Sequence, residues 1–152
     1  MKLFWEDRTG SAPILAAFLI IVLITLSAAV YAGVTVYAQY QACETELQRA
    51  ATVTVDTKLD NAHVRDLLLD VPDKSAEEYF YASLTEAGWT LEDGSCNRYE
   101  DGRRVYGIED VAMNIEGKTM AVSAITVIPL PWGGMGDVHI PLTVRTSVLY
   151  IE

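Results

Sequence analysis

Residues 12–38 read APILAAFLIIVLITLSAAVYAGVTVYA, twenty-seven positions without Asp, Glu, Lys, Arg or His. About 20 residues at roughly 1.5 Å each already cross the hydrocarbon layer of a bilayer, so the run reads as a membrane helix and not as a core helix. At about 40 Å it is longer than the layer it would cross, and must tilt or extend about two turns beyond it. Pro13 falls in the first turn, where its missing N–H has no partner to lose, so the helix is expected to begin at Ala12.

Upstream of this run, residues 1–11 form a short polar flank, MKLFWEDRTGS, with two bases, Lys2 and Arg8, beside Glu6 and Asp7. Downstream there is no base until Arg49. The positive-inside bias then expects a cytoplasmic amino end, a transmembrane helix over 12–38 and one extracytoplasmic domain over 39–152. A cleavable secretory signal is the competing reading, since Val30-Tyr31-Ala32 and Val36-Tyr37-Ala38 offer small or aliphatic residues at suitable spacing. Its apolar region would normally run about 7 to 15 residues, far fewer than here.

Composition limits what the rest can be. The chain has 152 residues and a formal charge of −10, and all but two of its 21 acids and two of its 11 bases lie after the apolar run. A field of that sign repels phosphate backbones and anionic headgroups, so no nucleic-acid partner is expected. The length remaining suits one modest domain with its own core.

Within the apolar run, Ala12 with Ala16, Ala28 with Ala32, and Ala29 with Gly33 form small-xxx-small pairs that let another helix approach closely. The plainer reading is that small residues are common in membrane helices. Phe4 and Trp5 at one end, and Tyr31, Tyr37 and Tyr40 at the other, suit the two interfaces of a bilayer, with membrane lipid as the surrounding partner. Past Ala38 no Gly or Pro interrupts the chain, and Tyr40, Cys43, Leu47, Ala50 and Ala51 recur at steps of three and four. This is an amphipathic continuation of the same helix to about Thr52, with one face prepared for a domain.

That order of parts resembles the type IV pilin-like proteins, and more narrowly the TadE-like minor pilins and pseudopilins of tight-adherence pilus systems. The residues that carry the likeness are the short leader with Arg8-Thr9-Gly10, then Ser11-Ala12 and the long apolar helix, then Leu47-Gln48-Arg49-Ala50-Ala51. The Ser11 to Leu15 stretch is also similar to the helix start of archaeal pilins. The resemblance implies cleavage between Gly10 and Ser11 by a prepilin peptidase, and association with other pilin-like subunits or assembly proteins through the helix. The chain departs from the family at Leu15, where the family's acidic residue would fall; no Asp or Glu lies anywhere in 12–38.

The domain itself reads as α+β: the long helix packed on a small antiparallel sheet of about four strands, with two short connecting helices. Asp60 to Asp70 suggests the first helix, capped by Asp60 or Asn61 and ended by Pro72. The second is expected from Ser75, with Glu78 completing a capping box, a buried stripe of Phe80, Leu84 and Ala87, and Gly88 as its stop. Trp89 is expected in the core. Glu92-Asp93-Gly94 and Glu100-Asp101-Gly102 have the composition of turns. Strand periodicity is expected from Val105 onward, in Val111 to Glu116, Thr119 to Ile128 and Val138 to Tyr150, with Gly117-Lys118 as a tight hairpin loop. Pro141 belongs at an edge or a strand entrance.

No catalytic, cofactor or metal site is expected, and no enzyme. The two histidines, His63 and His139, stand in no nucleophile motif. Asp60, His63 and Asp66 recur every three residues, which drifts round a helix of period 3.6, so a solvated face explains them better than a metal. In Pro129 to Gly136, Trp132 and Met135 either fold back on the sheet or form a contact loop for a partner or the membrane. Cys43 and Cys96 lie outside the cytoplasm in the topology above, where a disulfide would persist and stabilise a small domain; two unrelated thiols are the alternative. The functional expectation is a structural or accessory pilin-like subunit of a cell-envelope filament or secretion assembly, an oligomer built through its helix. The alternative is a single-pass, membrane-tethered extracytoplasmic binding or sensor module.

Overall fold

The structure, a computed structural model, describes residues 11–61, 73–116, 119–132 and 136–147. Its elements are α1 (Ser11–Asn61), α2 (Asp73–Glu86), β1 (Trp89–Glu92), β2 (Ser95–Glu100), β3 (Arg103–Glu116), β4 (Thr119–Pro129) and β5 (Asp137–Ser147). Contacts divide the chain into two units, Met1–Thr35 and Val36–Glu152. The fold is α+β, a long apolar helix with a short one and a five-stranded antiparallel sheet.

In the first unit the described residues are helical throughout, and their large apolar side chains are exposed, Ile14 at 72% and Val34 at 63% among them, whereas Ala28 is half-buried and Ala32 buried. In the second unit the amphipathic part of α1 buries Cys43, Leu47, Ala50, Ala51, Thr54 and Val55. These positions fall on one face at steps of three and four, and the sheet and α2 meet it there in one core cluster with Phe80, Leu84, Trp89, Ile108, Met120, Val122 and Ile128. Burying a Leu or Phe side chain stabilises by about 1.5–3 kcal/mol, so this stripe holds helix and sheet together.

The strands run as a simple meander in the order β1-β2-β3-β4-β5, each neighbour antiparallel. Alternate residues of β4 (Met120, Val122, Ala124, Thr126, Ile128) are buried, the period of two that a half-covered strand requires. The register aligns Cys96, Ile108, Thr126 and Ile140 in one row across four strands. An irregularity in β3 after Glu109, with Asp110 at φ 50°, restores the inward direction of Val111, Met113 and Ile115 toward the core.

Several expectations are corrected. The sheet has five strands, not about four, because β1 and β2 precede Val105. The turns expected at Asp93-Gly94 and Asp101-Gly102 are present, as the two-residue loops of tight hairpins with positive φ at all four residues, as type I′ turns demand. α1 continues through Asn61, so Asp60 and Asn61 are helical and do not cap a new helix. α2 starts at Asp73, two residues before the expected Ser75 cap. It stops as expected: the amides of Ala87 and Gly88 close on Ser83 and Thr85, and Gly88 takes φ 91°. The expected helix over 60–70 and the Gly117-Lys118 loop lie largely or wholly outside the described residues, as does the end of the last strand after Ser147.

Candidate functional site

Two regions carry the chemistry, the apolar part of α1 and a polar cleft in the second unit. A window within Pro13–Asp56 has mean hydropathy 2.7, and none of it is buried inside the protein. A soluble core helix of such composition would be buried, whereas this one is compatible with a single membrane span. Its threonines need no water: Thr25 donates to the Ile21 carbonyl at 2.8 Å and Thr35 to the Tyr31 carbonyl at 2.9 Å. Hydroxyls satisfied within their own helix remove much of the cost of placing them in hydrocarbon.

The small-residue pairs are not equivalent. Ala32 is buried and Ala28 half-buried, at the helical spacing that continues into Val36, Tyr40 and Cys43. Ala29, Gly33 and Ala16 are exposed, and a Cβ on Gly33 would meet nothing within 4 Å. The pair that stays open to a neighbouring helix is therefore Ala29 with Gly33. Ser11 is the first residue of α1. Gly10 and the side chains of Ser11 and Ala12 lie outside the described residues.

The disulfide expected between Cys43 and Cys96 is not formed; both are buried free thiols. The register gives the reason. The Cys43 sulfur sits 3.7 Å from the Thr126 hydroxyl on β4, whereas Cys96 is on β2, two strands away in the same row, with Ile108 between. Two strand spacings are about 10 Å, against the roughly 3.5–4.5 Å between Cβ atoms that a disulfide needs. Burial pushes the Cys43 thiol up to about 12, only partly offset by the Thr126 hydrogen bond, and the Cys96 thiol up to about 11.

The cleft, of about 500 Å³, is lined by Glu46, Arg49, Ala50 and Val53 of α1, Ser83 and Glu86 of α2, Ala87, and Arg98 of β2. Glu46 accepts a hydrogen bond from the Trp89 indole at 2.6 Å, and its carboxylate acts electrostatically on the Tyr106 phenol. Burial is the main cause that raises the Tyr106 phenol; the Glu46 carboxylate adds to it and the Arg98 guanidinium offsets part. The Trp89 and Tyr106 rings stack at a tilt, centroids 5.4 Å apart, and form the apolar wall behind the carboxylate. Arg98 donates to the Ala87 carbonyl at the end of α2, a cation at the negative end of a helix. Nothing in the sequence alone joined Glu46 to Arg98; the available signal was Glu46 flanking Leu47 on the buried stripe.

Trp132 is partly exposed, at 39%, while Pro129 and Leu130 are half-buried, and the loop is closed by the Leu130 amide and Gly136 carbonyl at 3.5 Å. Met135 lies outside the described residues, as do His63 and Asp66. No group of three potential metal ligands occurs among the described residues. No protein-family model, curated protein or solved structure matches this chain.

Proposed function

We propose that the chain is a structural or accessory subunit, similar to minor pilins and pseudopilins, of a cell-envelope filament or of a secretion or pilus assembly. It is anchored in the membrane by the apolar part of α1, with its amino end cytoplasmic and the α+β domain outside, and it assembles through the same helix. The observation that carries this reading is the continuity of α1 over Ser11–Asn61, apolar and uncovered in its first half and the spine of a sheet domain in its second. A helix apolar all round has no stable place in water, so lipid or the helices of other subunits must cover it.

Association through α1 is tested by replacing both Ala29 and Gly33 with Leu. The double variant inserts in membranes as before, but its self-association, read by cross-linking yield against protein density in lipid vesicles, falls roughly tenfold, about 1.4 kcal/mol. Unchanged association, or a protein that is monomeric in membranes to begin with, contradicts the proposal. The second reading, a tethered binding or sensor module, is favoured by the charged cleft of the domain.

A further inference from the structure

In a chain of net charge −10, guanidinium groups are scarce and carboxylates plentiful, so each arginine is expected to be met by an acid. Arg104 follows that expectation and pairs with Asp137. The other described arginines, Arg49, Arg98, Arg103 and Arg145, form no ion pair among the described residues, and two of them, Arg49 and Arg98, line one cleft. Arg98 spends Nη1 on the Ala87 carbonyl, and its Nε is buried with no acceptor. Arg49 is exposed and has no hydrogen-bond partner among the described residues. Glu46 is already engaged by Trp89, which leaves Glu86, the last residue of α2, as the uncommitted carboxylate of the cleft. Ala50, Val53 and Ala87 supply an apolar lining beside the hydroxyl of Ser83.

From this arrangement we infer that the cleft binds a small zwitterion of the α-amino acid or short-peptide class. Its carboxylate lies between Arg49 and Arg98, and its ammonium group faces Glu86. Guanidinium matches a carboxylate with paired N–H donors, which an ammonium side chain would not do. A simple anion would be opposed by Glu46 and Glu86, and a simple cation by Arg49 and Arg98; a ligand bearing both signs meets Arg49, Arg98 and Glu86 together. The volume, about 500 Å³, falls among those of small-molecule sites. The inference holds whether or not the chain enters a filament.

The Trp89 indole reports on the cleft, because its N–H is bonded to Glu46 on the cleft wall. The full chain, with ¹⁵N-labelled tryptophan and held in lipid nanodiscs, is titrated separately with glycylglycine, acetate and inorganic phosphate. Glycylglycine is expected to shift the Trp89 indole signal saturably, and acetate and phosphate to bind at least about tenfold more weakly. Arg49→Gln weakens glycylglycine binding about tenfold or more, and Glu86→Gln weakens glycylglycine but not acetate. Both side chains are exposed, and an unchanged indole signal from Trp132, in the loop after β4, shows that the variants remain folded. No saturable shift with glycylglycine, equal affinity for acetate or phosphate, or undiminished binding by Arg49→Gln would each overturn the inference.

Discussion

Gly107 has no room for a side chain. A Cβ there would run into the Asn97 side-chain oxygen and sit 3.1 Å from the Cys96 carbonyl oxygen. Asn97 is itself buried and donates to the Ser95 hydroxyl at 3.2 Å, so it cannot swing away freely. Gly107→Ala is therefore expected to destabilise by about 1–3 kcal/mol, seen as a lower thermal midpoint. The cysteines make a second test at this scale. Thiols raised to about 12 and about 11 stay protonated at neutral pH, so both should resist alkylation until the protein is unfolded. The sign of their effect on stability follows from linkage. The unfolded chain loses these protons near the ordinary thiol value of 9.0 while the folded chain keeps them, so stability is full below that pH and declines as pH rises toward 11 and 12. An alkaline melting series that stayed flat across that window would contradict the assignment. The thiols were misread from sequence because the separation between Cys43 and Cys96 depends on which strands lie between them, and pairing order is not written in local spacing.

At the scale of elements, the amphipathic stripe of α1 and the buried Trp89 were legible, since periods of 3.6 residues and turn residues are local signals. The hairpins at Asp93-Gly94 and Asp101-Gly102 were read only as turns, although Asp-Gly between short strands is a hairpin signal. Their strands escaped notice because Thr90, Glu92, Asn97, Arg98 and Glu100 are polar, and only Trp89 and Cys96 mark the inner face. The cleft was illegible for a different reason: Glu46, Glu86 and Arg98 come from three elements, and only their docking brings the charges together. Burial along α1 predicts a sharp contrast between its halves. Leu47→Ala removes a fully buried side chain and should lower the stability of the folded domain by about 2–5 kcal/mol, read by chemical unfolding in nanodiscs. Leu26→Ala, at an exposed position, should leave domain stability within about 0.5 kcal/mol. Equal effects would mean that the core stripe is misplaced.

For the whole molecule, the account rests on one continuous helix with two solvents, hydrocarbon or other helices for its first half and a protein core for its second. Residues 12–38 showed the first of these in the sequence, because length and absence of charge suffice to recognise a span-like helix. The proposed direction across the membrane, processing between Gly10 and Ser11, and assembly would depend on partners and enzymes, which no local pattern in a single chain encodes. With Leu15 and no acid anywhere in 12–38, the proposed assembly would depend on close packing at the exposed Ala29 and Gly33. The measurement that tests the central claim most directly is recovery of the chain from filaments sheared off the surface of cells that produce it. The account predicts that the sheared fraction contains the chain with Ser11 as its first residue, and that the double Leu variant at Ala29 and Gly33 stays in the membrane fraction. A chain found only in membranes, from cells whose filaments shear away normally, would contradict it.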